Sequence, residues 1–391
     1  MSALSEPAPL ESLDSADRSR GARIRDVEVF VVPVPFAHEF VIGSGRVGDT
    51  GATGDVVFVR LTTEDGVVGW GEQRALPTWS YETAETIAIV IARHLAPLVV
   101  GLTPFDVEQF HRSAVAALSP AVSNGFPFAK AAIDIAMHDA AGKIAGVPVH
   151  QLLGGRVHDR IALTSAIGIA DPAIVADRVS ASSEYHAYKV KISGDVDTDV
   201  VAVHTVAERA NGKPLWLDAN QAYRPTALRR LLDGIKDVPN VVCVEQPVPG
   251  TDWGAMARLR SSIDLPVAID EGSFTAADLA RAVQLGATDL VVVKICKAAG
   301  LRQAQRTISV AQAHGVELLA SGLTDCGIGF AAALHLFSAY DLALPAELNG
   351  YELLAEMYVD GLEVTGAVAA VPVAPGLGVT VDEERIRATA R

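Results

Sequence analysis

The hydrophobic pattern changes period twice along the chain. Residues 27–34 and 55–62 alternate or run apolar, Glu64-Asp65-Gly66 marks a turn, and Gly69-Trp70-Gly71-Glu72 follows. That pattern predicts a small antiparallel sheet. From Tyr81 to Ile144 the period becomes helical, in Ala-rich stretches such as 83–96 and 129–145, until Gly146-Val147-Pro148 stops it. Strands followed by helices predict an α+β capping domain over residues 22–155.

After Gly155 short β-rich runs recur, each followed by a helical stretch. Strands are predicted at 161–167, 188–192, 215–219, 241–245, 267–270, 290–295, 316–320 and 344–348. Helices are predicted at 172–180, 198–210, 225–234, 253–261, 276–285, 299–314 and 329–338. Strands alternating with helices define an α/β fold, a (β/α)7β incomplete TIM-type barrel, over residues 156–350. The rival, a doubly wound open sheet, calls for a G-x-G-x-x-G after an early strand, and none is read there. Residues 351–391 carry Pro and Gly turns with little helical period, and are expected to pack back on the capping domain.

Composition narrows the function classes. Of 391 residues, 50% are apolar and 20% charged, enough for a large core and too ordered a mix for a disordered chain. The net charge of −15 disfavours nucleic acid or an anionic membrane as partner and serves solubility. No apolar run reaches the roughly 20 residues of a membrane span. Residues 1–21 are polar, lack the apolar core of a signal peptide, and read as a flexible tail. Cys243, Cys296 and Cys326 form no C-x-x-C pair and read as buried, reduced thiols. A cytoplasmic location follows by default, and a homo-oligomer, dimer to octamer, is expected.

In a barrel, groups at the carboxyl ends of the strands face the active site. Here they are Lys189 and Lys191, Asp218 and Asn220, Glu245, Asp270 and Glu271, Lys294, Asp325, and Glu347 with Asn349. Three carboxylates from successive strands, Asp218, Glu245 and Asp270, make a hard, all-oxygen cation site of the kind Mg²⁺ takes. Lys189 and Lys191 stand two apart on one strand. Both therefore point into the barrel, about 6.6 Å apart along the strand. Their mutual repulsion lowers a pKa towards the range of a general base. Lys294 arrives across the barrel from them.

Together these residues resemble the enolase superfamily, in its muconate lactonizing enzyme-like subgroup. The pairing of a lysine base with Mg²⁺ is a known pattern of that superfamily. The resemblance spans nearly all of the chain after residue 22. It is carried by the stretch from Asp65 to Glu72, by Ala131-Ala132-Ile133-Asp134-Ile135-Ala136-Met137-His138-Asp139 and by Leu152-Leu153-Gly154-Gly155. In the barrel it is carried by Lys189-Val190-Lys191, Asp218-Ala219-Asn220, Glu245-Gln246-Pro247, Ile269-Asp270-Glu271 and Lys294.

The resemblance implies roles. Asp218, Glu245 and Asp270 would bind Mg²⁺, with Mn²⁺ as a substitute. Lys191 would be one acid/base, Lys189 would tune it and touch the substrate carboxylate, and Lys294 would be the opposite acid/base. Glu271 would hydrogen-bond Lys294, although neighbours on a strand face opposite ways, so Asp270 and Glu271 could exchange roles. Two departures stand out. Asp325 replaces the longer Glu usual after strand seven, and Ala298-Ala299-Gly300 replaces a double glycine. Glu347-Leu348-Asn349-Gly350 offers one carboxylate where dipeptide epimerases carry D-x-D, as in the cycloisomerase E-L-x-G. The loop 36–53 should close over the substrate, with His38, Arg46 and Trp79 as candidate contacts.

The implied activity is Mg²⁺-dependent removal of the proton α to a carboxylate, through an enediolate. Racemisation or epimerisation of an amino-acid derivative comes first, since both lysines are present and Glu347 could meet a cationic nitrogen. Cycloisomerisation of a muconate-type diacid comes second, and dehydration of a sugar acid or hydroxyproline-like acid third. A metal-dependent binding protein without catalysis would need a broken lysine or ligand set, and none is broken.

Overall fold

The computed structural model describes residues 22–120 and 125–391; the predicted tail lies outside the described residues. Strand β1 (Ile24–Pro35) leads into a small hairpin, β2 (Phe40–Ile42) and β3 (Gly45–Gly48). The chain returns as β4 (Thr53–Thr63) and β5 (Val68–Arg74). Strands β1, β4 and β5 form an antiparallel meander whose β1–β4 ladder runs from Ile24 opposite Thr63 to Pro35 opposite Thr53. The hairpin carries Gly43-Ser44-Gly45-Arg46-Val47-Gly48, a G-x-G-x-x-G after all. It turns one strand into another instead of opening a helix, so it builds no dinucleotide site.

The helix Pro127–Ala145 packs on this sheet and is buried from Pro127 to Gly142. A Cβ added at Gly71 would stand 1.8 Å from the Ala132 carbonyl oxygen, and one at Gly69 would stand 2.2 Å from that of Ala136. Only glycine lets strand and helix meet so closely.

The first predicted barrel strand is split. Strand β6 (Arg160–Ala162) pairs antiparallel with Val368–Ala370, and β7 (Thr164–Ile167) begins the barrel. There follow β8 (Ala187–Lys191), β9 (Leu215–Asp218), β10 (Val241–Glu245), β11 (Val267–Ile269), β12 (Leu290–Val293) and β13 (Glu317–Ala320). These seven strands, β7 to β13, lie parallel in sequence order, the curled sheet the alternation predicts. The predicted eighth strand is reduced to two isolated parallel bridges, Leu163 with Ala346 and Ser321 with Glu347. Pro345 has no N–H to donate, and it separates the Ala343 bond to the Leu318 carbonyl from the bonds that Ala346 and Glu347 make with their neighbours. Beneath the carboxyl ends, Trp216, Cys243, Ala268, Val292 and Leu319 fill the interior.

Two buried carboxylates of residues 22–155 join the barrel helices. Glu72 accepts N–H bonds from Cys326, Ile328 and Gly329 at the start of the helix Gly327–Phe337. Asp134 accepts the Leu301 N–H at 2.7 Å, where the helix Leu301–His314 begins. The C-terminal stretch contains a helix the pattern did not predict, Glu383–Thr389, capped by the Asp382 side chain. Arg387 and Glu383 of this helix pair with Glu28 and Arg60 of the first sheet. Among the described residues no helix is long and apolar enough to cross a membrane.

Candidate active site

The carboxyl ends of β8 to β12 deliver their charged groups to one buried cluster. Alternation on β8 sends Tyr188 outwards, its hydroxyl near the Ser182 carbonyl at 3.1 Å, and turns Lys189 and Lys191 inwards. The Lys189 ammonium lies 3.0 Å from Asp218 Oδ2, 2.9 Å from Glu245 Oε2 and 3.5 Å from Glu347 Oε2, and 4.3 Å over the Trp216 ring. The Lys191 ammonium donates to Asp218 Oδ2 at 2.5 Å and Asn220 Oδ1 at 3.2 Å. Lys294 caps the one-turn helix Ile295–Ala298 just past β12, where the sequence reading ran the strand on to residue 295. Its ammonium donates to Asp270 Oδ2 and sits 4.6 Å from the Trp79 ring centre.

The electrostatics correct one expectation. Burial alone would lower the Lys189 pKa, but Asp218, Glu245 and Glu347 outweigh it and hold it well above the ordinary lysine value. Lys294 is raised in the same way, against burial, chiefly by Asp270. Carboxylates, more than the paired ammonium, set the charge of these lysines. Burial and the adjoining Asp218 and Asp270 charges push Glu245 well above the carboxylate range, although Lys189 opposes them.

Glu271 differs from its implied contact. Lys294 goes to Asp270, and Glu271 Oε1 instead accepts from Asn220 Nδ2 at 3.2 Å. Asn220 thus links Lys191 to Glu271. Burial and the Asp270 charge push Glu271 up to about 7. Asp325 does not line the catalytic cavity; it accepts the Leu323 N–H at 3.2 Å, and burial pushes it up to about 6. Glu347 accepts from Ser321 Oγ, and Asn349 Oδ1 accepts the Thr324 N–H at 3.1 Å.

Residues 36–53 do cover the site, with different side chains from those predicted. His38 and Arg46 are exposed, and Arg46 is held outside by Glu39 and Asp49, each at 2.7 Å. Phe40, Ile42 and Val47 face the lysines instead, with Leu76 and with Trp79, the one predicted contact that lines the cavity. These residues and the barrel ends enclose a cavity of only about 20 Å³, room for about one water. Burial alternates along β2, with Phe40 and Ile42 buried and Val41 half-buried, but all three are apolar, so no period in the sequence marked the inward side chains.

Two supports were missed. Lys297 donates to both the backbone oxygen and Oδ1 of Asp270, each at 2.7 Å. Gln246 Oε1 accepts the N–H groups of Asp270 and Gly272, each at 3.0 Å, cross-bracing the turn after β11. The spacing Lys294-x-x-Lys297 was the signal for the first, because a one-turn helix returns both to one side.

Asp218, Glu245 and Asp270 are all fully buried at the ends of successive strands, and Glu245 Oε2 has no aligned hydrogen-bond donor. Among the described residues no three His, Cys, Asp or Glu side chains converge at metal-binding distances; the lysine ammoniums stand between these carboxylates. In type, burial and placement the three acids fit an oxygen-seeking divalent cation, which would also relieve their mutual repulsion.

A capped β/α barrel with carboxylates on three successive strand ends and lysines facing each other across them defines an enzyme of the enolase superfamily. The chain belongs to the mandelate racemase and muconate lactonizing enzyme family: residues 26–154 match "Mandelate racemase / muconate lactonizing enzyme, N-terminal domain", and residues 173–385 match "Enolase C-terminal domain-like". It is similar to N-succinyl-L-Arg/Lys racemase of Bacillus cereus, 28% identical over 93% of this chain and 97% of the relative. The crystal structure of that racemase superposes with a TM-score of 0.88 at 27% identity, covering 94% and 98% of the two chains. Chloromuconate cycloisomerase of Cupriavidus pinatubonensis is 33% identical over 86% of this chain and 91% of its own. The dipeptide epimerase of Enterococcus faecalis, solved with Mg and L-Leu-L-Tyr, gives a TM-score of 0.84 at 27% identity, covering 92% and 99%. The protein is an enolase-superfamily isomerase.

Proposed function

We propose that this enzyme racemises or epimerises a derivatised amino acid by moving the proton α to its carboxylate. The observation that carries this reading is that Lys191 and Lys294 line one small cavity from opposite staves of the barrel, β8 and the end of β12. Each then serves one face of the same carbon. One lysine removes the proton, the other returns one, and the roles reverse for the opposite enantiomer. Lys189 meets the negative charge that develops on the carboxylate. Phe40, Ile42, Val47 and Trp79 exclude water around the reacting carbon.

Asp218, Glu245 and Asp270 are the residues that would hold Mg²⁺, or Mn²⁺ in its place. Bound there, the ion supplies Lewis-acid stabilisation of the substrate carboxylate. The relatives support this reading: a racemase of N-succinylated amino acids and a dipeptide epimerase share the fold along almost the whole chain. Cycloisomerisation of a muconate-type diacid is the second reading, favoured by Glu347-Leu348-Asn349-Gly350 and by the chloromuconate cycloisomerase relative.

The test is α-proton exchange in D₂O, followed by proton NMR with Mg²⁺ present, over N-acyl amino acids and dipeptides of both configurations. Lys191→Ala and Lys294→Ala should each abolish turnover, and each should keep exchange for one enantiomer only, opposite between the two. Near-normal turnover by either variant excludes the two-base mechanism.

A further inference from the structure

Asp218 and Asp270 share a pattern that proton transfer does not require. Each turns one carboxylate oxygen to the lysines of the catalytic cavity and has the other tied to the frame. Asp218 Oδ2 meets Lys189 at 3.0 Å and Lys191 at 2.5 Å, while its Oδ1 accepts the Asn220 N–H at 3.0 Å. Asn220 stands at φ 40°, a left-handed turn that brings its N–H back to the side chain two residues earlier. Asp270 Oδ2 meets Lys294, while its Oδ1 accepts from Lys297 at 2.7 Å.

Lys297 is placed as a tie. It lies three residues after Lys294 on the one-turn helix Ile295–Ala298, is 3% exposed, and does not line the catalytic cavity. Its ammonium also donates to the Asp270 carbonyl at 2.7 Å, so it bridges the main chain and side chain of one residue. The two lysines divide one carboxylate between them, Lys294 on the cavity side and Lys297 on the frame side. Glu245 has no such tie among the described residues; Lys189 meets both of its oxygens, at 3.2 and 2.9 Å.

We propose that Lys297 is a metal-selectivity residue: by holding Asp270 Oδ1 it leaves that carboxylate one oxygen for a cation, which suits Mg²⁺ or Mn²⁺ and disfavours Ca²⁺. This rests on the metal reading above. Ca²⁺ gathers many oxygens in a flexible shell and takes both from one carboxylate, whereas Mg²⁺ demands a compact octahedron. To grip Asp270 by both oxygens, Ca²⁺ would have to break the charge-assisted bond from Lys297. The tie on Asp218 comes from the main chain, so Lys297 is the one that a side-chain substitution can remove.

The experiment titrates Mg²⁺ and Ca²⁺ separately into the wild type and Lys297→Met by calorimetry, with no substrate present. Both ions carry the same charge, so the lost ammonium or a general loosening shifts both affinities together, and only their ratio reads the tie. Lys297→Met should move that ratio towards Ca²⁺ about 10- to 100-fold, the range for a charge-assisted hydrogen bond. An unchanged ratio with both ions bound overturns the selectivity role and leaves the metal reading standing. A wild type that binds neither ion overturns both. Should Lys297→Met not fold, wild-type crystals soaked in Ca²⁺ decide. Asp270 on the ion through Oδ2 alone, with Lys297 still on Oδ1, supports the tie, and both oxygens on the ion overturn it.

Discussion

Asp134→Asn tests how the cap is held on the barrel. Asp134 is fully buried; its Oδ2 lies 2.7 Å from His111 Nε2, its Oδ1 lies 3.2 Å from His138 Nδ1, and the same Oδ1 accepts the Leu301 N–H. Burial by itself would raise this carboxyl, but His138 and His111 overcome it and hold it well below the usual carboxylate range. For His138, burial pulls down and the Asp134 charge outweighs it, so its value is raised above 6.5. The depressed acid contributes stability that is present above its ordinary 3.8 and lost as pH falls through its folded value. The raised histidine contributes stability that is present below 6.5 and lost as pH climbs through its folded value. Both operate together from about pH 4 to about pH 6.5.

Asparagine keeps an oxygen for Leu301 and removes the charge. Breaking a buried charged pair from one side costs about 3–5 kcal/mol. With about 2.1 cal/mol/K of unfolding entropy per residue over 391 residues, that lowers Tm by about 4–6 °C. Calorimetry at about pH 5.5 and about pH 8.5 should show the larger deficit at the lower pH. A deficit equal at both values, or below about 1 °C, would refute the argument.

Three further outcomes are expected. Asp218→Asn, Glu245→Gln and Asp270→Asn should each lower kcat/KM by orders of magnitude, and activity that survives exhaustive EDTA treatment would remove the metal from the mechanism. Replacing Phe40, Ile42 and Val47 together by serine should raise KM and lower kcat at once, because the lid both excludes water and completes the cavity; unchanged kinetics would mean these side chains close nothing. Gly71→Ala places a methyl 1.8 Å from the Ala132 carbonyl, so it should cost at least the roughly 1–3 kcal/mol of ordinary overpacking, and an unshifted melting curve would contradict the contact.

The barrel was legible because alternation of strand and helix is a property of neighbouring residues. The strand-end acids and lysines were legible for the same reason: period two on β8 is enough to turn Lys189 and Lys191 to one side. What failed depended on distance in the chain. Glu72 finds its three donors more than 250 residues away, at Cys326, Ile328 and Gly329, and no local pattern announces that pairing. His38 and Arg46 were candidates as loop residues, but the lid turns the apolar Phe40, Ile42 and Val47 towards the lysines and leaves His38 and Arg46 exposed. Glu271 was assigned to Lys294 by resemblance, and the shorter reach of Asp270 took that contact. The eighth strand was read as residues 344–348, and it pairs only through isolated bridges on either side, with Pro345 lacking an N–H inside it.

That weak eighth stave divides the ring into two kinds of wall. The lysines and acids stand on a continuous ladder from β8 to β12, with Gln246 bracing one turn against the next. Glu347 and Asn349 stand on a seam stitched to its neighbours by single bridges. Each bridge on the seam is a single residue pair, whereas the junctions from β8 to β12 pair over two to four residues. Mutation can therefore rewrite which molecule is accepted while the proton-moving machinery stays in place. On that view the seam is the barrel's replaceable part, and a library confined to residues 344–350 should yield folded proteins more often than one of equal size spread over β8 to β11.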